Sequence, residues 1–311
     1  MKNKEVVAII GPTAVGKTAL SLKLAHIFQG EIINGDAMQV YKGFHIGTAK
    51  ISKKEMQGIS HHLFDICTVD EAYNVARFQK DVRQKIEEIH ARGHLPILVG
   101  GTGLYIQAAL YNFQFHSVKP TSATMRRRKE LEMLAEREGA FRLYQILSSF
   151  PKEKIPHDLH PNNVKRVIRT IEKLENAECV GMQPQALQPY YSVHLFGLTM
   201  DREKLYARIN QRVDMMMKEG LLEEAKALYA SPQKSKDGLF AAIGYKEFFP
   251  YFENEITLQE AIEKIKKNSR NYAKRQLTYF RNKMNVTWIS VDTPLSEVDF
   301  EHYFSFLGRK V

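Results

Sequence analysis

Cysteine is scarce in this sequence: its 311 residues hold two, Cys67 and Cys179, far apart and in no C-x-x-C pair. That argues against a disulfide framework and against a thiolate zinc site. Long apolar runs are missing too. Near the N-terminus only Val6–Ile10 is continuously apolar before Gly11, too short for a signal peptide or a membrane span. A soluble, cytoplasmic protein is expected. No internal repeat is visible, which argues against a solenoid. Acidic residues are outnumbered, with 45 Lys+Arg against 35 Asp+Glu and a net charge of +10. Such a surplus concentrates polyanions, so nucleic acid or phosphorylated substrates become the expected partners. With 44% hydrophobic residues, the chain can bury a real core as one large domain or two modest ones.

What is present alternates at first between strand and helix. Val6–Ile10 reads as a buried strand, Thr18–Gln29 as a helix closed by Gly30, and Glu31–Asn34 as a second strand. Asp81–Ala91 is helical and ended by Gly93, and Pro96–Val99 is another buried strand. This rhythm predicts an α/β core with a parallel sheet. It fails after about Ser117. Residues 121–176 read as helical and charged, and Gln183-Pro184-Gln185 reads as a loop. Strand character returns at Val193–Leu198, followed by helical segments over Arg202–Tyr229 and Leu258–Asn282. The expected layout is an α/β core over 1–118 and 193–311, interrupted by a helical insertion at 119–192.

Between the first strand and the first helix stands Gly11-Pro12-Thr13-Ala14-Val15-Gly16-Lys17-Thr18, a match to G-x-x-x-x-G-K-[ST]. The glycines let the backbone wrap its N–H groups around phosphate oxygens, Lys17 neutralises the terminal phosphate, and Thr18 can place a hydroxyl on Mg²⁺. The helix N-terminus adds its own partial positive charge. Nucleotide hydrolysis is the usual inference, but two absences oppose it. The strand Ile97-Leu98-Val99 runs into Gly100-Gly101-Thr102-Gly103 rather than into a metal-binding acid, and no Asn-Lys-x-Asp guanine reader occurs. The loop therefore suits a diphosphate that is not being hydrolysed as a nucleotide.

Further motifs are more specific. Asn34-Gly35-Asp36-Ala37-Met38-Gln39-Val40-Tyr41, Ile46-Gly47-Thr48-Ala49-Lys50, His61-His62-Leu63-Phe64-Asp65-Ile66 and Leu98–Tyr105 stand in order. Phe196-Gly197-Leu198, Arg208–Met216, Ala242–Glu247 and Tyr272–Arg281 follow them. Together they resemble the tRNA dimethylallyltransferases (isopentenyl-tRNA transferases) over nearly the whole chain. The zinc-finger tail of some eukaryotic members is not among the motifs, so the resemblance is to the bacterial type. Ala37, Ser60 and Tyr279 depart from the residues commonest in that family (Ser, Pro and Trp), and none of the three is a group assigned to chemistry.

The resemblance implies a P-loop NTPase-like core with an inserted helical domain. It also implies transfer of a dimethylallyl group from dimethylallyl diphosphate to the exocyclic amine of the adenosine 3′ to the anticodon of tRNA. No membrane and no obligate protein partner is implied. An allylic diphosphate leaves charge on its departing group, so positive charge must be aimed there. Lys17, the loop amides from Gly11 to Thr18, and Mg²⁺ on Thr18 would supply it. The resemblance adds an arginine, Arg208, with Arg212 four residues on and on the same helix face. The adenine amine is a weak nucleophile, and Asp36, just after a strand, is the candidate base. Thr102 would orient the amine or the diphosphate. His61 and His62 are adjacent, splay apart and lack an acidic or thiol cluster, so packing or a hydrogen bond is expected of them rather than metal binding.

For the tRNA itself, Lys264–Lys283 carries eight basic residues and no acidic one. Lys267, Lys274 and Arg281 repeat every seven residues on one face, and Ile265, Tyr272 and Tyr279 on another. The tRNA contacts implied are Asp36, Ala37, Met38, Gln39, Tyr245, Lys246, Lys267, Arg270, Lys274, Arg275, Gln276, Tyr279 and Arg281, with Asn163 and Arg166 from the insertion acting as a clamp on the anticodon stem. A small-molecule kinase with a helical lid is the alternative. It shares the loop and the core but leaves the basic stripe unexplained.

Overall fold

Six strands, β1 (Glu5–Ile10), β2 (Gly30–Asn34), β3 (His61–His62), β4 (Leu95–Gly100), β5 (Ser192–Thr199) and β6 (Thr287–Ser290), form one sheet in the order β3-β2-β4-β1-β5-β6. Every pairing is parallel. The computed structural model describes residues 4–115, 121–157, 159–176, 188–232 and 238–308. Cys179, the Gln183-Pro184-Gln185 stretch and the expected boundary at 118/119 lie outside the described residues.

The helices are α1 (Lys17–Phe28), α2 (Val75–Ala91), α3 (Gly103–Leu110), α4 (Ser122–Glu138), α5 (Ala140–Leu147), α6 (Val164–Glu175), α7 (Arg202–Glu219), α8 (Leu221–Tyr229), α9 (Phe249–Phe252), α10 (Leu258–Lys283) and α11 (Glu297–Phe304). β1 is central and buried on both faces, which is why it reads as an unbroken apolar run. Val6, Ala8 and Ile10 join the layer holding Phe78, Val82 and Ile86 of α2 with Phe280 of α10. Val7 and Ile9 point the other way, toward Leu24 of α1, Leu205 and Ile209 of α7, and Phe300 and Phe304 of α11.

Several boundaries differ from expectation for local reasons. Gln29, not Gly30, ends α1 by taking the left-handed conformation (φ 51°), and Gly30 instead opens β2. A Cβ at Gly30 would lie 2.6 Å from Ile97 Cδ1 and 3.1 Å from the Leu95 carbonyl oxygen, so a side chain there would crowd β4. α2 begins at Val75, because the Asn74 side chain accepts the amides of Ala76 and Arg77. The Arg202–Tyr229 segment breaks into α7 and α8 at Gly220, whose φ is 104°. β3 and β6 carried no strand signal, since two- and four-residue strands are too short to show a period.

By internal contacts the chain divides into two units, Met1–Phe113 with Pro189–Val311, and Gln114–Gln188. The second unit packs α4, α5 and α6 around Leu131, Leu143, Leu147, Val167 and Ile171. Bidentate pairs tie Arg128 to Glu172 and Arg127 to Glu175 within it.

Candidate active site

Ligands of open parallel sheets bind at the carboxyl ends of the strands. Four neighbouring strands here deliver functional groups to that edge. β1 runs into Gly11–Lys17, β2 into Gly35-Asp36, β4 into Gly101-Thr102, and β5 leads into α7 with Arg212. Three of them line a cavity of about 310 Å³, through Thr13 after β1, Asp36 after β2 and Arg212 of α7, with Tyr272 of α10 beside them.

The phosphate loop has the backbone its motif requires. Gly11 and Gly16 have φ of 144° and 106°, and Ala14 between them also takes a positive φ, 64°. Lys17 folds back so that its Nζ donates to the carbonyls of Gly11 (3.0 Å) and Pro12 (2.7 Å). Burial lowers its pKa to about 8; Asp36 opposes the shift and Arg212 adds to it. Thr18, next in sequence, is exposed. Arg212 donates weakly to Thr13 Oγ1 (3.4 Å), and burial followed by the like charge of Arg208 lowers its own pKa.

Asp36 is half-buried and sits in a fixed turn. Its backbone N–H donates to Asn34 Oδ1, and its Oδ1 accepts from the Met38 amide, both at 2.9 Å. Burial raises its carboxyl pKa above the ordinary range, while the Met38 amide and the Lys17 charge oppose that. Thr102 caps α3, and its Oγ1 accepts from the Ala37 amide at 3.2 Å, tying the β4 end to the Asp36 turn. The end of β4 cannot carry an acid: a Cβ on Gly100 would stand 2.1 Å from the Gly35 carbonyl oxygen. That contact is a steric reason for the missing metal-binding carboxylate.

Other expected site residues are placed differently. Arg208 is exposed, with its guanidinium 4.0 Å from Met200 Sδ, and it is Arg212 that lines the cavity. Gln276 is buried, not presented to a polynucleotide. Its Oε1 accepts from Thr13 N (2.9 Å) and its Nε2 donates to Gly101 O (3.0 Å), bracing the phosphate loop against the β4 end. Tyr245 is fully buried and donates to Glu224 at 2.7 Å. Tyr279 packs on Gly103 and donates to Gln107 Oε1 (2.7 Å). Gln39 donates to the carbonyls of Thr48 and Ala49, and Arg270 to Asn210 Oδ1 at 2.6 Å. These contacts remain inside the protein because each side chain has a partner within reach.

Met38, Lys246 and Arg275 line the cavity, and Ala37 is half-buried beside Asp36. Lys267, Lys274 and Arg281 are exposed along α10, with Ile265 buried and Tyr272 and Tyr279 half-buried. Lys266 is instead paired with Asp214 at 2.8 Å. Asn163 caps α6 by accepting the Arg166 amide. His61 interacts with Ile59 O through Nδ1 (2.8 Å) and His62 with Glu31 Oε2 through Nε2 (2.6 Å). No group of three or more His, Cys, Asp or Glu among the described residues could hold a metal. Buried Lys50, part of the second motif, pairs with Asp65 at 2.7 Å and so does not face a ligand.

Sequence reasoning missed the cavity's apolar lining: Ile209, Val213, Met216, Ala241, Ile243 and Ile265. Three of them belong to a helical stripe that looks like ordinary core.

A family model described as IPP transferase matches residues 39–283. The chain is 47% identical over 310 residues to the tRNA dimethylallyltransferase of Bacillus subtilis (strain 168), covering 98% of this chain and 97% of that one. It is 51% identical over 294 residues to the tRNA dimethylallyltransferase of Anoxybacillus flavithermus, covering 93% and 91%. Among solved structures it is similar to the full-length tRNA isopentenylpyrophosphate transferase of Bacillus halodurans, with TM-score 0.72, 45% identity and coverage of 98% and 96%. A eukaryotic dimethylallyltransferase acting on tRNA superposes with TM-score 0.75 at 31% identity, covering 95% of this chain and 76% of that one.

Proposed function

The chain belongs to the IPP transferase family, and we propose that it moves a dimethylallyl group from dimethylallyl diphosphate to the exocyclic N6 amine of the adenosine 3′ to the anticodon of tRNA. Diphosphate is released. The observation that carries this reading is a phosphate loop and a basic carboxylate opening onto one apolar cavity.

The apolar wall of Ile209, Val213 and Met216 suits the alkyl group, with the diphosphate at Gly11–Thr18. As the allylic C–O bond loosens, charge grows on the diphosphate. Lys17, the loop amides and Arg212 are held in place to stabilise it without reorganising. Asp36 faces the same cavity, and its raised pKa makes it a stronger proton acceptor than a surface carboxylate once ionised. It takes the proton the amine loses as the new C–N bond forms. Thr102 supports Asp36 through the Ala37 amide, as a positioning group.

Mg²⁺ suits this site as a companion of the diphosphate. Thr18 offers one exposed hydroxyl, with no acidic cluster beside it among the described residues, and Mg²⁺ bound through few protein ligands takes phosphate oxygens and water. When bound it would add positive charge against the leaving group. The target base must leave its stack to enter the cavity, at a few kcal/mol. The exposed row of Lys267, Lys274 and Arg281 would hold the surrounding phosphates, with Asn163 and Arg166 of the helical unit on the stem.

The test is to incubate unmodified tRNA with dimethylallyl diphosphate, digest it, and identify the altered nucleoside. The expected product is one N6-alkylated adenosine, mapped to the position 3′ of the anticodon. An unaltered digest overturns the assignment, and alkylation elsewhere overturns the target.

A further inference from the structure

Two abutting stretches line the cavity, Gly47-Thr48-Ala49 and Ala241–Gly244 with Lys246. The first has no helix or strand to stiffen it. Gln39 holds the carbonyls of Thr48 and Ala49, and a carboxylate outside the cavity holds the backbone that leads into them. Glu224 of α8 accepts from three consecutive backbone amides, His45 (2.7 Å), Ile46 (3.1 Å) and Gly47 (2.8 Å), and also from the Tyr245 hydroxyl (2.7 Å). Tyr245 in turn lies flush on Gly47, where a Cβ would come within 2.5 Å of its ring. The second wall is fixed likewise: Glu247 accepts the Gly244 amide (2.9 Å) and the Asn268 side-chain amide (2.8 Å).

We propose that Glu224 is a positioning residue that, by clasping the 45–47 backbone to Tyr245, fixes the cavity wall and so restricts the donor to a short alkyl chain. The inference rests on the transferase reading above. An apolar wall has no chemistry with which to distinguish five carbons from ten, so selection must come from shape. A rigid hydrophobic pocket discriminates by roughly 10–200-fold per methylene, and a pocket whose wall yields loses that. Four hydrogen bonds to one ionised group resist yielding far better than van der Waals contact alone.

The experiment compares kcat/KM for dimethylallyl diphosphate and for a ten-carbon allylic diphosphate, with tRNA as acceptor. In Glu224→Gln the side-chain NH₂ must face backbone N–H groups, so at least one amide loses its acceptor. Tyr245→Phe removes one hydroxyl and no packing, and it carries the test alone if Glu224→Gln does not fold. The five-to-ten-carbon preference is expected to fall at least about ten-fold in each variant, through a raised KM for dimethylallyl diphosphate with KM for tRNA unchanged. The double variant should fall little further than the worse single one, because both break one clasp. An unchanged preference, or equal losses for both donors, overturns the proposal. A wild-type protein that transfers neither donor overturns the activity itself, and this inference with it.

Discussion

At the scale of single residues, Asp36 and Lys17 define the site through opposed effects of the same environment. Burial raises the carboxyl's pKa and lowers the amine's to about 8. Asp36→Asn keeps size and hydrogen-bonding reach but removes basicity. Single-turnover transfer should fall by roughly 10²–10⁴, with binding of inorganic diphosphate little changed; rapid-quench kinetics alongside calorimetry check this, and a variant within three-fold of wild type returns Asp36 to a turn residue. For Lys17 the sign is fixed by its charge. Below about pH 8 it is cationic in the free enzyme, and above that it loses the proton that attracts phosphate. Affinity for inorganic diphosphate should therefore weaken as pH rises through about 8, and Lys17→Arg should remove that midpoint. The motif made Lys17 legible in the sequence. Gln276 was not legible as a brace, because its partners Thr13 and Gly101 are 263 and 175 residues away and no local pattern encodes them.

At the scale of elements, α10 has two working faces. Gln276 and Tyr279 look inward to the phosphate loop and α3, while Lys267, Lys274 and Arg281 look outward. The seven-residue spacing made the outward face readable. Lys274→Ala should weaken binding to every tRNA by a similar factor and lower the salt slope by about one, as one released counterion requires; filter binding from low to moderate salt measures both, and unchanged values make that face merely solvated. At the start of β2, buried Glu31 is held down to about 2, first by Arg92 and further by His62 and His94, against the cost of burial. A depressed carboxyl stabilises the fold above its unfolded value of 4.5 and loses that contribution as pH falls toward about 2. Glu31→Gln should cost on the order of 2 kcal/mol near neutrality, discounted because Arg92 and His94 are substantially exposed, and should flatten the acid side of the stability curve. Urea unfolding at pH 6 and at pH 3 reads both. The adjacent histidines were legible but the partner of His62 was not, since Glu31 reaches it only through the pairing of β2 with β3.

At the scale of the whole molecule, the parallel sheet was readable from its alternating strands and helices, and its strand order was not. Yet the order does the functional work, because β2, β4, β1 and β5 are neighbours and their carboxyl ends converge. The apolar half of the cavity was hidden for a different reason: Ile209, Val213 and Met216 have helical spacing that core and cavity share. The account's central claim is that the phosphate loop serves a diphosphate leaving group and not a nucleotide being hydrolysed. The direct measurement supplies tRNA with either alkyl-labelled dimethylallyl diphosphate or γ-phosphate-labelled ATP, using wild type and Lys17→Ala. The account predicts that only the alkyl label moves, that it moves onto tRNA, and that Lys17→Ala abolishes this while tRNA affinity stays within a few-fold. Movement of the γ-phosphate to any acceptor with the alkyl label left in place, or transfer that survives Lys17→Ala, would contradict it.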